Sequence, residues 1–126
     1  MTKIRPYSTF LGVKVDMPPS GGTPLCTLEP SSKVAGTSSL HGGAIAALLE
    51  TAAGALVELR LCDAGQDVQP TSITVDYMRP SRLVTTYANA EIVRIGDRIA
   101  HVDATAWQDD EARPVAMARL VFSLYR

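Results

Sequence analysis

The sequence predicts an α+β fold in which one long, apolar helix is enclosed by an antiparallel β-sheet. An Ala- and Leu-rich run without proline extends from Gly43 to Leu61, and a helix that is apolar around most of its circumference must be buried. Two short strand candidates precede this run, and four follow it, joined in part by tight turns. The chain has 126 residues, the size of one domain, so residues 1–126 are taken as a single domain.

Proline, glycine and β-branched residues set the order of the elements. Upstream of the helix the chain is interrupted by prolines and glycines, and only Phe10–Val15 and Pro24–Glu29 fit strands. The helix is expected to end where Asp63 and Gly65 favour a turn. Beyond Pro70 the residues are β-branched or alternate between apolar and polar, as strands do. The four strands predicted there are Thr71–Met78, Leu83–Ile95, Arg98–Gln108 and Val115–Tyr125.

Composition and charge exclude several classes of function. The formal net charge is −1, so no overall field would attract nucleic acid or an anionic membrane. Cys26 and Cys62 lack the spacing of a zinc site and are interpreted as small buried residues. No signal peptide is visible, and the most apolar stretch, Gly42–Val57, is too short for a bilayer and contains Glu50. We therefore expect a cytoplasmic protein with reduced thiols, no bound metal and no membrane partner.

Glu50 is unusual within the predicted helix because its neighbours one turn away are all small and cannot pair with a carboxylate. Burial of a carboxylate without partners is costly, and such an environment marks a candidate functional site. The structural alternative is an ion pair with an arginine from another strand. The four small neighbours are Ala46, Ala47, Ala53 and Gly54.

The helix is entered through His41-Gly42-Gly43. Two glycines let a ligand approach the backbone closely, and the free amides at a helix N-terminus favour an oxygen that gains negative charge. The alternative is an ordinary capped helix start, in which His41 is a structural residue. Gly42 and Glu50 are eight residues apart, about 12 Å along a helix, so one protomer cannot bring both to one reacting atom. Two antiparallel helices at a two-fold axis can, which predicts a homodimer.

His-Gly-Gly, an acidic residue nine positions after the histidine, and the Ala-Ala-Gly that follows resemble the hotdog-fold acyl-CoA thioesterases of the phenylacetate-pathway and 4-hydroxybenzoyl-CoA types. Thr71–Pro80 is similar to the next strand of that family, and Val93–Arg98 to its Arg-x-Gly hairpin. The resemblance covers most of the chain. It implies a hotdog fold that forms a dimer or a tetramer, and hydrolysis of an acyl-CoA thioester with no cofactor beyond the coenzyme A of the substrate.

Carried over by position, the resemblance implies a role for each residue of the helix motif. Glu50 is the catalytic carboxylate, acting as nucleophile or as general base on water. The Gly42 N–H polarises the thioester carbonyl, while His41 and Gly43 shape the helix entry. The acyl group is left open, because aromatic and medium-chain groups both fit.

Further residues are candidates for orienting the water and holding the substrate. Thr71 and Ser72 lie early in the next strand, where the family often has a helping polar residue, although Pro70 is a candidate for the same position. Arginines suit the phosphates of coenzyme A, because they bind them through two parallel hydrogen bonds. The candidates at turns or strand ends are Arg79, Arg82, Arg94 and Arg98, and solvated surface charge is the alternative for each.

One position departs from the family pattern. Six residues before the histidine the family often has an amide, and here that residue is Ala35. Either Thr37, Ser38 or Ser39 replaces the amide, or catalysis is weaker than in the family. This departure keeps open a non-catalytic protein that binds acyl-CoA. A hydratase or dehydratase that uses His41 and Glu50 for proton transfer is a further alternative.

Overall fold

The computed structural model describes residues 5–19, 21–61 and 65–125, and it confirms the predicted α+β class. All neighbouring strands are antiparallel, and one long helix packs against the sheet. The elements are α1 (Pro6–Leu11), β1 (Val13–Asp16), β2 (Leu25–Leu28), α2 (Gly42–Arg60), β3 (Asp67–Tyr77), β4 (Thr86–Ile95), β5 (Ile99–Trp107) and β6 (Ala116–Tyr125). The six strands form one sheet in the order β1-β2-β4-β5-β6-β3.

The N-terminal element differs from the prediction. The expected strand over Phe10–Val15 is wrong in its first part, because α1 extends to Leu11 and β1 begins only at Val13. Pro6 opens α1, where a fixed φ suits a helix start, and Gly12 ends it in the left-handed conformation at φ 87°. This pattern of an early proline and a late glycine is a helix signal that the strand interpretation overlooked.

Helix α2 provides the centre of the core. Ten of its residues are buried, and they pack mainly against β4 and β5. The apolar stretch was interpreted as too short to cross a bilayer. The helix α2 is longer than that stretch, and by length and composition alone it could cross a membrane. Its burial against the sheet accounts for its apolar character. It ends at Arg60, with Leu61 as its cap, while Cys62 and the predicted stop at Asp63 lie outside the described residues.

The edge strand β3 is long and open on one side. Its one partner among the strands of the described ranges is β6, and most of its side chains are exposed, including Ile73 and Tyr77. Pro70 is tolerated in this strand because an edge strand has one row of amides without partners in the sheet, and the register shifts directly after it. A row of unpaired backbone groups of this length is a template for another strand.

Cys26, on β2, is fully buried, and burial raises the pKa of its thiol from 9.0 to about 12. In the unfolded chain the thiol ionises near its ordinary pKa of 9.0, whereas in the folded chain it keeps its proton. Raising the pH towards and above this value therefore removes protons from the unfolded state first and lowers the free energy of unfolding. This stabilising contribution is complete below that pH and declines progressively towards about 12.

We expect the stability of the wild type to fall more steeply between pH 8 and pH 10.5 than that of Cys26→Ala, because the variant lacks the buried thiol. Urea unfolding at several pH values would measure the two slopes. Peptide-resolved alkylation by iodoacetamide at pH 8 should leave Cys26 unmodified in the folded protein. Equal slopes for the two proteins, or rapid alkylation of Cys26 without unfolding, would contradict the buried, protonated thiol.

Candidate functional site

One face of α2 lines a groove of about 430 Å³ between α1 and the edge strand β3. The helix contributes small residues and one carboxylate to the centre of this groove, so substrate-sized groups can approach its backbone. The residues from α2 in the centre are Gly43, Ala46, Ala47, Glu50 and Gly54, and those from the sheet are Val68, Pro70, Ile73 and Phe122.

Glu50 lies in this groove, exposed in the single chain. Neither an ion pair nor a hydrogen bond is made by its carboxylate within residues 5–19, 21–61 and 65–125, so the structural alternative of an arginine partner is not formed there. Two turns further along the same face, Glu58 is paired with Arg5. The small neighbours of Glu50 create an open groove rather than the buried hollow suggested by the sequence, so desolvation of this carboxylate would require a second surface.

The start of α2 leaves one amide available. The Gly43 N–H donates to Nδ1 of the cap residue His41 at 2.9 Å, and the amides of Ala44 and Ile45 donate to the His41 carbonyl at 2.9 and 3.2 Å. The amide of Gly42 is the one of these four that meets no acceptor in the part of the chain that the structure describes. An oxygen bound at this helix end would therefore be met by Gly42, whereas the amide of Gly43 is already satisfied.

Within one chain, Gly42 and Glu50 do not meet. Both belong to α2, and their separation of eight residues corresponds to about 12 Å along the axis. His41 stands at the cap, still further from the carboxylate along the same axis. The structure thus separates the two halves of the predicted site within a protomer, as expected from the spacing.

Thr71 and Ser72 do not extend the groove toward Glu50, because a β-bulge changes the side of the sheet that they occupy. Pro70 pairs with Phe122, which lines the groove, whereas Ser72 pairs with Val121 on the next register position and therefore faces away from α2. Thr71 lies at the bulge, and its hydroxyl donates to the Val121 carbonyl at 3.1 Å. The groove position expected for a polar residue is thus taken by Pro70.

The loop before α2 does not supply a replacement for the missing amide within the chain. Ala35 forms an isolated bridge with Leu40. Thr37 and Ser38 are exposed, and the Ser39 hydroxyl donates to the carbonyl of Leu40 at 3.3 Å. None of the three hydroxyls contacts the carboxylate on α2 among the described residues.

The four candidate arginines form two pairs at opposite ends of the sheet. Arg79 and Arg82 follow β3 at the end where α2 begins, and both are engaged: Arg79 donates to the Pro114 carbonyl at 3.0 Å, and Arg82 pairs with Asp109. The β5–β6 register runs from Ala106 to Ile99, and the seven steps between these residues place the other end of the sheet about 23 Å away.

Arg94 and Arg98 lie at that other end, on the β4–β5 hairpin. Together with His101 they line a hollow of about 320 Å³. No ion pair involves either arginine among the described residues. These two cations thus differ from Arg82 at the opposite end, which is paired with a carboxylate.

Two parts of the candidate site, α1 beside the groove and a side chain at the start of α2, were not predicted from the sequence. The first is α1, which is fastened to α2 by a hydrogen bond of 2.6 Å between the hydroxyls of Ser8 and Thr51 and by the Arg5–Glu58 ion pair. The second is Tyr77, for which the sequence predicted no part in the site. It is 54% exposed, and its hydroxyl donates to the Gly42 carbonyl at 2.6 Å. The proline-to-glycine span of α1 could have indicated the first, but no local signal indicates the second.

Potential metal ligands do not cluster in this site. Within the described ranges, no group of three or more His, Cys, Asp or Glu side chains could hold a metal ion. The chemistry available in the groove is that of an unpaired carboxylate and of a helix N-terminus.

The chain matches the family model of the thioesterase superfamily over residues 37–115, which is more than half of its length. A protein from Bacillus halodurans whose crystal structure contains CoA has 25% sequence identity and a TM-score of 0.86, with 98% of this chain and 80% of that chain covered. A protein from Chromobacterium violaceum is 32% identical, with a TM-score of 0.74 over 94% of this chain and 82% of that chain. A thioesterase from Haemophilus influenzae, at 22% identity and a TM-score of 0.85 over 95% and 82% of the two chains, shows the same fold. A comparison with curated proteins finds no significant match.

Proposed function

Because the chain belongs to the thioesterase superfamily and has its hotdog fold, we propose that it hydrolyses acyl-CoA thioesters to a carboxylic acid and free CoA. The observation that carries this proposal is Glu50, an unpaired carboxylate in a groove of small residues. The fold is that of a soluble domain, and we propose that it works in the cytoplasm without a metal or redox cofactor.

Glu50 acts on the thioester carbon in one of two ways. As a general base it takes a proton from water, and the hydroxide oxygen adds to the carbonyl carbon. The carbon–sulfur bond then breaks, and the sulfur of CoA leaves with a proton. As a nucleophile the carboxylate itself displaces the CoA thiolate, and water hydrolyses the resulting anhydride. In both routes the carbonyl oxygen gains negative charge and is stabilised by the Gly42 N–H.

The active unit is proposed to be a dimer in which each site is shared. The open edge of β3 and the exposed groove face of α2 lie side by side, so a second copy would complete the sheet and cover the carboxylate. Antiparallel pairing of two β3 strands reverses the direction of the two α2 helices. That arrangement brings Gly42 of one protomer toward Glu50 of its partner, which a single chain cannot do.

The same pairing suggests where the phosphates of CoA bind. The β4–β5 hairpin lies near the start of β3, since Gln66 donates to the Asp97 carbonyl at 3.4 Å. In an antiparallel dimer this end faces the helix N-terminus of the partner. We therefore propose Arg94 and Arg98 of one protomer as phosphate ligands for a thioester held at Gly42 of the other.

A protein that binds acyl-CoA without turnover is the second candidate. The observation that favours it is Ala35, since neither this residue nor the hydroxyls after it provide a polar group near the carboxylate in the described chain. The hydratase or dehydratase alternative receives less support, because Nδ1 of His41 already accepts the Gly43 amide.

A thiol-release assay with phenylacetyl, hydroxybenzoyl, short-, medium- and long-chain acyl-CoA tests the function. We expect release of free CoA by the wild type from at least one member of the panel. Calorimetric binding of acyl-CoA without any release would favour the binding protein. Hydration of an enoyl-CoA without thiol release would favour the hydratase.

Gly54 tests whether the groove holds the acyl group. A Cβ at this position would meet only Phe122 Cε1, at 3.9 Å, so alanine fits and should stabilise the helix by about 1 kcal/mol. A larger side chain would fill the groove one turn from Glu50. We expect Gly54→Ala to raise the melting temperature, and Gly54→Leu to lower kcat/KM for aromatic and medium-chain substrates far more than for acetyl-CoA. An equal loss for all acyl groups would place the acyl group elsewhere.

A further inference from the structure

The peptide unit between Gly42 and Gly43 is held at both of its polar atoms by side chains. Its carbonyl oxygen accepts a hydrogen bond from the Tyr77 hydroxyl at 2.6 Å. Its N–H donates to Nδ1 of His41 at 2.9 Å. Both glycines belong to the first turn of α2, where the backbone freedom of glycine weakens a helix. Two side chains from different elements, β3 and the helix cap, therefore add to the hold that the helix has on this peptide.

The contacts around the two glycines show how closely these side chains approach. A Cβ at Gly42 would lie 3.2 Å from Oη and 3.3 Å from Cζ of Tyr77. A Cβ at Gly43 would lie 3.0 Å from Nδ1 of His41. Glycine at both positions thus leaves room for the two side chains that hold the peptide. Gly42 and Gly43 thus leave the helix end open to a ligand and also let Tyr77 and His41 come close enough to hold the peptide between them.

The unit that is held adjoins the available amide. Gly42 carries the N–H that meets no acceptor in the described residues, and its own carbonyl belongs to the held peptide. We propose that Tyr77 is a positioning residue: by fixing the Gly42–Gly43 peptide together with His41, it aims the Gly42 N–H at the carbonyl oxygen of the thioester. This inference rests on the proposed hydrolysis. A preoriented donor stabilises the developing oxyanion without reorganisation during the reaction.

Tyr77 is also the last residue of β3, the strand proposed to pair with its counterpart in the partner. A shift of β3 at the proposed dimer contact would therefore also move the Tyr77 hydroxyl that holds the Gly42 carbonyl. The Tyr77 side chain is 54% exposed in the single chain, so it is not part of the hydrophobic core. The hydroxyl of Tyr77 makes one hydrogen bond among the described residues, to the Gly42 carbonyl.

The test is Tyr77→Phe, which keeps the ring above Gly42 and removes only the hydroxyl. We expect kcat to fall by roughly tenfold to a hundredfold, as misoriented catalytic groups do, while KM stays within about twofold. Tyr87→Phe is the matched control, because Tyr87 stacks on Trp107 away from the groove and should retain wild-type kinetics. Thermal unfolding of both variants checks that the fold is kept.

A spectroscopic readout separates positioning from a structural effect. In a Glu50→Gln background the bound thioester persists, and isotope-edited infrared spectroscopy measures its carbonyl stretch. We expect the hydrogen-bond shift of this band to shrink when Tyr77→Phe is added. If the wild type is active and Tyr77→Phe changes neither kcat nor the carbonyl band, the role of Tyr77 is overturned while the proposed function stands. A change in KM without a change in kcat would overturn that role as well. Absence of turnover in the wild type would overturn the proposed function and this inference with it.

Discussion

Glu50→Gln is expected to abolish thioester hydrolysis while leaving the fold intact. Loss of a general base costs about 10²–10⁴-fold in rate, and loss of a nucleophile costs at least as much, because the amide can neither take the proton nor attack the carbon. Since Glu50 makes no hydrogen bond or ion pair among the described residues, the free energy of unfolding should change by less than about 0.5 kcal/mol. Steady-state thiol release and urea unfolding measure the two quantities.

The matched control is Glu91→Gln. Glu91 is an exposed glutamate on β4, paired with Asp103 in the sheet, so the same chemical change there should leave kcat near the wild-type value. A folded Glu50→Gln protein with more than about a tenth of the wild-type kcat would remove the carboxylate from the mechanism, since that loss is below the range expected for a general base. An equal loss in Glu91→Gln would indicate a general effect of charge.

The central helix and the succession of strands along the chain could be predicted because they depend on local patterns, whereas the order of the strands within the sheet was not predicted. The proline-free apolar run became α2 within one residue at each end, and each alternating segment after Pro70 became a strand. Helix α1 was missed since its six residues carry no repeating apolar stripe. Its stability comes instead from contacts with α2, made by Ser8 and Arg5.

The sequence singled out candidate site residues only where they lie on one helix. Glu50 and Gly42 were chosen from their neighbours and their spacing along α2, and their catalytic roles stay predictions. The side of the sheet on which Ser72 lies was not predicted, because a single extra residue at Thr71 reverses the side-chain alternation of β3. The contact of Tyr77 with Gly42 joins residues 35 positions apart, and such a contact depends on the packing of the sheet edge against the helix, which periodicity does not describe.

Gly42→Pro is expected to lower kcat by about 10²–10³-fold relative to Gly42→Ala, the cost of one oxyanion donor. Proline removes the Gly42 N–H and is well tolerated at the first position of a helix. The residue before it, His41, already has φ −62° and ψ 134°, which suits a residue that precedes proline. Both substitutions add a Cβ at 3.2 Å from the Tyr77 hydroxyl, so this contact is matched, and the two variants differ by the amide and by the proline ring that replaces its hydrogen. Equal kcat values for the two variants would exclude the Gly42 N–H as the donor.

Gly42→Pro, combined with Glu50→Gln, also tests whether the site is shared between protomers. Glu50→Gln keeps the amide and lacks the carboxylate, whereas Gly42→Pro keeps the carboxylate and lacks the amide. If Glu50 of one protomer works with Gly42 of its partner, a heterodimer of the two inactive proteins contains one complete site and one site that lacks both groups. Differently tagged chains, expressed together and purified through both tags, should therefore regain about half of the wild-type activity. If both groups acted from the same chain, the heterodimer would contain no complete site and would stay inactive, and the 12 Å separation along α2 would then have to be bridged in another way.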